Sequence, residues 1–249
     1  MAVTSPEPTL AAPDAQGDES PPTPGPRSTR IVLVRHAVTA ETGSKLSGRA
    51  PGIDLSDDGR GQAERAGERL APVPVAAIYA SPIERTTQTA ELIAKHHGLP
   101  VLPLPGVIEA DYGDWTGENL SDLMKLDLWK TVQVAPSRVR FPQGEAMVAM
   151  QARMVEAIEA LVAAHPGATV VVVSHADPIK AVVAHFTGLP LDLFQRIAVS
   201  PASVTVLELG QFGATLVKSN DTGSMDDLVP KPAPRSESAP ETGTGSDDG

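Results

Sequence analysis

Three short polar groups share one setting in the sequence. Arg35-His36 follows the apolar run 31–34 directly, and Ser174-His175 follows the run 169–173. Ser81 follows a third run, 75–80, with Arg85 four residues further on. If the runs are parallel strands of one sheet, their carboxyl ends share the edge where such sheets bind ligands. Two imidazoles and two guanidiniums then converge on one point. Together they would repel each other, and their natural partner is a dianionic phosphate, whose oxygens match the forked donors of arginine.

The elements that must position these groups alternate along the chain. Residues 31–34, 75–80, 101–104 and 169–173 read as strands, short and apolar enough to be buried on both faces. Residues 56–71, 83–97, 118–134, 145–165 and about 178–186 read as helices, with Ser56 placed as an N-cap and Gly98, Pro100, Pro166 and Gly167 as stops. Residues 203–209 and 214–218, separated by 210–213, read as a closing strand pair. Strand–helix alternation of this kind predicts an α/β fold in three layers, a mostly parallel central sheet covered by helices on both faces. Aromatic residues make up only 3% of the chain, so aliphatic side chains must fill that interior.

The polar groups also sit in recognisable company. Arg35-His36-Ala37-Val38-Thr39 resembles the Arg-His-Gly-Glu-Thr motif of the histidine phosphatase superfamily, the phosphoglycerate mutase-like proteins. The resemblance continues through 55–63, through Ser81-Pro82-Ile83-Glu84-Arg85-Thr86 and on to Ala90, and through 109–117. It extends to Phe141-Pro142-Gln143-Gly144-Glu145 and to Ser174-His175-Ala176-Asp177. Six segments in order span nearly all of residues 30–218. The resemblance implies that His36 attacks phosphorus and carries it as phosphohistidine, while Arg35, Arg85 and His175 hold the phosphoryl oxygens. It implies that Glu109 protonates the leaving oxygen; by residue type alone, Asp111 or Asp114 in the same loop could do this work. Thr39, Thr42 and Ser81 are candidate phosphate contacts. The chemistry agrees: a nucleophilic imidazole must be neutral, and two adjacent guanidiniums favour loss of its proton. The expected enzyme is a phosphatase of small phosphomonoesters, with a phosphomutase as the alternative and a non-catalytic phosphate-binding module as a third reading. Neither metal nor organic cofactor is called for, since cationic side chains supply the charge. A metal hydrolase built on His36, His175 and Asp177 lacks any His-Glu-x-x-His motif to support it.

This chain departs from the family pattern at Ala37-Val38, where Gly-Glu is usual, at Thr42, where the mutases carry Asn, and at Ala146, where Ser is frequent. Its segment between Glu109 and Phe141 is short for a dedicated mutase. These departures favour the phosphatase. His96, His97 and His165 fall at helix ends, where a cation suits the dipole. His185 reads as packing, as do Trp115 and Trp129 unless they line the pocket.

The net charge of −11 is unevenly spread. Residues 1–29 carry −3 and residues 219–249 carry −5, which leaves −3 for the stretch between them. The acidity therefore belongs to the Pro-rich and acidic ends, which read as disordered tails flanking a catalytic domain at 30–218. No basic stripe points to nucleic acid, and no apolar run is long enough for a membrane. The start of the chain lacks the pattern of a secretion signal, so the expected compartment is the cytoplasm. There is no cysteine, which removes thiol chemistry and disulfides. The partner is expected to be a small phosphorylated metabolite, and a homodimer is the candidate assembly.

Overall fold

β-Branched residues crowd the runs that flank the polar groups, and their stiff side chains suit extended backbone packed on both sides. The computed structural model describes residues 28–223. Six strands form one sheet: β1 (Thr29–Arg35), β2 (Val75–Ala80), β3 (Val101–Pro103), β4 (Thr169–Ser174), β5 (Val204–Gly210) and β6 (Gly213–Asp221). Their spatial order is β3-β2-β4-β1-β5-β6. The first four are mutually parallel, and β5 runs antiparallel to both β1 and β6.

Successive residues of a strand face opposite sides, and the core divides accordingly. Ile31, Leu33, Val170, Val172 and Leu207 pack under α5 (Met147–Ala164) and α6 (Ala176–Phe186), against Met154, Ile158, Ile179 and Val182. Val32, Val34, Ile78, Val171, Val173 and Val206 face α1 (Asp57–Leu70) and α2 (Glu84–Ala94), against Leu70, Ala90 and Ile93. This is the expected three-layer arrangement. Ser56 caps α1 as expected, accepting from Gly59 N–H at 3.1 Å.

Several boundaries differ from the sequence reading, most of them by one or two residues. The segment 118–134 is two helices, α3 (Leu120–Leu123) and α4 (Asp127–Val134), with Leu126 extended between them. Leu123 and Val132 are both buried in one cluster with Trp115, Phe141 and Phe194. In a continuous helix their nine-residue separation, at 3.6 residues per turn, would leave them half a turn out of phase. Breaking the helix turns both onto the same core, and the pair becomes a roof over the carboxyl edge of the sheet. Helix α2 stops at Ala94, not His97, and α6 starts at Ala176, directly after His175. Strand β6 continues to Asp221, past the expected limit of 218, because Arg69 Nη2 binds Asp221 Oδ1 at 2.7 Å and anchors it to the end of α1. The remaining tail residues, 1–27 and 224–249, lie outside the described residues.

One glycine ties α1 to the nucleophile loop. A Cβ at Gly59 would lie 2.0 Å from the carbonyl oxygen of Val38, two residues beyond His36. Gly59→Ala must therefore push helix and loop apart. Overpacking of this kind costs about 1–3 kcal/mol, and thermal melting should fall by roughly 2–12 °C. An unchanged melting temperature would show that the loop yields freely.

Candidate active site

Strands β1 and β4 are neighbours with Arg35 opposite Ser174, so the residues that follow them emerge side by side. The His36 N–H donates to the Ser174 carbonyl at 2.9 Å, and the two imidazole rings lie 5.3 Å apart. Arg85, on the first turn of α2, reaches across both. Its Nε donates to His36 Nε2 at 3.3 Å, and its Nη2 donates to His175 Nδ1 at 3.2 Å and to the Gly48 carbonyl at 2.7 Å. Arg35 Nη1 is held by the Val199 carbonyl at 2.7 Å.

These contacts fix the tautomers. His36 Nδ1 lies 2.8 Å from the Ala37 carbonyl, which can only accept, so the ring proton sits there and Nε2 keeps its lone pair. His175 accepts at Nδ1 and so carries its proton on Nε2, which donates to Ser81 Oγ at 2.8 Å. Both rings are held neutral. Burial pushes the His36 pKa well below its ordinary 6.5, with Arg85 and then Arg35 adding to the effect. His175 is lowered in the same way by burial, Arg85 and His36.

Two guanidinium donors have no partner among the described residues. Arg35 Nε and Arg85 Nη1 are buried and unbonded, although leaving such groups unmet costs about 1–3 kcal/mol each. Both residues line a cavity of about 360 Å³, bounded also by His36, Glu109, Thr39 and Thr42 and roofed by Trp115 and Trp129. An anion with several oxygens in this cavity would lie against both guanidiniums.

Glu109 stands over the pair of histidines. Its Oε1 accepts from the Ala110 N–H at 2.9 Å, which leaves Oε2, 3.8 Å from His175 Nδ1, as the edge for a proton. Burial, and then the charge of Asp177, raise its pKa to about 7, against the opposing pull of Arg85, the Ala110 N–H and Arg35. That value suits a group that must give and take a proton near neutrality. Asp111 and Asp114, the alternatives by sequence, do not line the cavity.

The structure thus brings Arg35, His36, Arg85, Glu109 and His175 together. Thr39 and Thr42 lie at the cavity wall with their hydroxyls 3.1 Å apart. Ser81 does not join them. It is fully buried and does not line the cavity, and its hydroxyl faces the far nitrogen of His175, so it orients that ring instead of meeting phosphate. His175 itself lies beneath the lining, fully buried. Several wall residues escaped the sequence reading. Tyr112 donates to Asp177 Oδ2 at 2.9 Å, and Lys180, one turn along α6, donates to Gln195 at 2.9 Å. The three-residue spacing of Asp177 and Lys180 was the available signal, since it places both on one face of a helix.

A mostly parallel sheet whose carboxyl edge presents two neutral imidazoles, two buried guanidiniums and a carboxyl group with a raised pKa defines a phosphoryl-transfer enzyme. The chain belongs to the histidine phosphatase superfamily, branch 1, whose family model matches residues 31–222. It is 32% identical to phosphoserine phosphatase 1 of Hydrogenobacter thermophilus over 78% of this chain and 92% of that protein. It is 28% identical to the Erwinia tasmaniensis protein named "Probable phosphoglycerate mutase GpmB", over 71% of this chain and 83% of the other. Among solved structures, a mycobacterial glucosyl-3-phosphoglycerate phosphatase superposes with a TM-score of 0.72 at 26% identity, covering 78% of this chain and all of that one.

Proposed function

We propose that the protein hydrolyses small phosphomonoesters through a phosphohistidine on His36. The carrying observation is the pair of buried guanidiniums, Arg35 and Arg85, each with an unpartnered donor, beside the unprotonated His36 Nε2, which accepts the Arg85 Nε–H. In the first step a phosphoryl oxygen displaces the Arg85 Nε–H from Nε2, and the lone pair attacks phosphorus. The bond from phosphorus to the ester oxygen breaks as that oxygen takes the proton from Glu109. The arriving dianion offsets the burial and the neighbouring positive charge that keep His175 neutral, so His175 takes up a proton from solvent at Nδ1 and donates it as a hydrogen bond to a phosphoryl oxygen once Arg85 Nη2 releases that nitrogen. In the second step Glu109, now a carboxylate, takes a proton from water, whose oxygen attacks phosphorus and frees Nε2.

Hydrolysis is favoured over mutase action by the wall opposite the nucleophile. It carries fixed side chains, Tyr112, Asp177, Lys180 and Gln195, suited to one leaving group. The roof above it is short, made of two helices of four and eight residues. Asp177 and Lys180, 3.9 Å apart, offer charges of both signs to a polar leaving group. The similarity to a phosphoserine phosphatase supports an amino-acid ester as one member of the class. A panel of metabolite phosphomonoesters, run with and without a bisphosphorylated primer, tests the reading: phosphate release without primer is expected, and primer-dependent isomerisation would select the mutase.

The mechanism uses no metal. A guanidinium already lies between His36 Nε2 and His175 Nδ1, the two nitrogens a metal would need, and its charge opposes a cation there. Exhaustive chelation should leave turnover unchanged, while vanadate, which adopts a five-coordinate geometry like that of the transferring phosphorus, should inhibit. Loss of activity on chelation with recovery on adding Zn²⁺ or Mn²⁺ would overturn this.

A further inference from the structure

Glu145 belongs to the segment 141–145, which the phosphoryl-transfer steps leave without a role. It does not touch the cavity. Its carboxylate is the centre of a polar cluster behind Glu109. Oε1 accepts from Arg153 Nε at 2.7 Å, and Oε2 accepts from Arg153 Nη2 at 2.9 Å, from Arg49 Nη2 at 3.2 Å and from the Asp111 N–H at 3.2 Å. The two arginines so held spend their other donors on the turn that carries the acid. Arg153 donates to the carbonyls of Gly106 at 2.9 Å, Ile108 at 2.7 Å and Glu109 at 3.0 Å, and Arg49 Nε donates to the Glu109 carbonyl at 2.8 Å.

The loops are also locked backbone to backbone. The Glu145 N–H donates to the Asp111 carbonyl at 2.8 Å, and a Cβ at Gly144 would lie 2.4 Å from that same oxygen. Gly113, at φ +53°, would bring a Cβ to 2.0 Å from the Pro142 carbonyl. The main chain on either side of Glu109 is thus fixed by charge-assisted bonds, which are about twice as strong as neutral ones. Removing the Glu145 charge would take their shared anion from both guanidiniums, leaving Arg49 with Asp111 Oδ2 at 3.7 Å and Arg153 with carbonyl partners alone.

We propose that Glu145, acting through Arg153 and Arg49, is a positioning residue that holds the proton-bearing edge of Glu109 in register with His36 Nε2. This rests on the reading of Glu109 as the general acid. A misplacement of about an ångström can cost on the order of 10²-fold in a positioned step, and here the cost should fall on proton transfer alone. Glu145→Gln keeps the shape and removes the charge. It should slow an alkyl phosphate by roughly 10–100-fold and p-nitrophenyl phosphate, whose leaving group needs no proton, several-fold less. In the double variant with Glu109→Gln it should add almost nothing further on the alkyl ester. Melting curves decide whether Glu145→Gln folds; if it does not, Arg49→Met, at a more exposed side chain, carries the same measurements with a smaller effect. Equal slowing of both esters, or full additivity with Glu109→Gln, would overturn the proposal and leave Glu145 with a purely structural role. Absence of leaving-group dependence in Glu109→Gln alone would instead overturn the acid assignment, and the positioning role with it.

Discussion

His36→Ala is expected to lower turnover by roughly 10⁴–10⁶-fold, the range seen when one member of a concerted catalytic unit is removed, while the protein stays folded. The fold should survive because the imidazole is neutral and makes one short side-chain bond of its own, from Nδ1 to the neighbouring Ala37 carbonyl. The Arg85 guanidinium keeps Gly48 and His175 as partners without it. Wild-type protein quenched during turnover should carry one phosphoryl group, acid-labile and base-stable. The geometry goes further and names the nitrogen: Nδ1 is committed to a carbonyl, so the adduct must form on Nε2, which phosphorus NMR of the trapped protein distinguishes. An adduct on serine or aspartate, on Nδ1, or undiminished turnover in the variant would refute the assignment of His36.

The parts of this site that the sequence disclosed are those tied to strand ends. Where an apolar run stops, the next residue's place on the sheet edge follows from topology alone, and so Arg35, His36, His175 and Arg85 were legible before any coordinates. Ser81 was misread for a related reason. Strand position shows that a side chain lies at the edge, but not whether it faces the cavity or the ring behind it, which depends on one rotamer. The break in 118–134 was hidden because both halves have helical composition. Only the phase of Leu123 against Val132 betrays it, and that phase carries meaning once the core beneath the roof is known. Asp177 and Lys180 stood in plain view on a helix face, yet nothing local marked that face as a cavity wall. The cluster of Arg49, Glu145 and Arg153 joins three segments 96 and 8 residues apart, and separations of that kind leave no periodic trace.

Glu109→Gln should separate substrates by the basicity of their leaving groups. An alkyl phosphate expels a strongly basic alkoxide and needs the proton, whereas p-nitrophenolate is stable near neutral pH without it. The variant should therefore slow the alkyl ester by roughly 10²–10⁴-fold, the usual contribution of general acid catalysis, and the nitrophenyl ester far less. The pH dependence sharpens the test. The carboxyl group, raised to about 7 by burial and by Asp177, carries its proton below that pH and loses it above, so alkyl-ester turnover in the wild type should fall as pH rises through about 7. The opposite limb comes from His36, whose lone pair is lost only when the imidazole protonates. Burial and the two arginines place that event well below pH 6.5, so activity should hold on the acid side until then. In Glu109→Gln the basic limb should vanish while the acid limb stays in place. Asp177→Asn gives an independent check, because removing the neighbouring charge lowers the Glu109 pKa and should move the wild-type basic limb to lower pH. Equal slowing of both esters by Glu109→Gln, or a basic limb that persists in it, would mean that this carboxyl shapes the site without donating the proton.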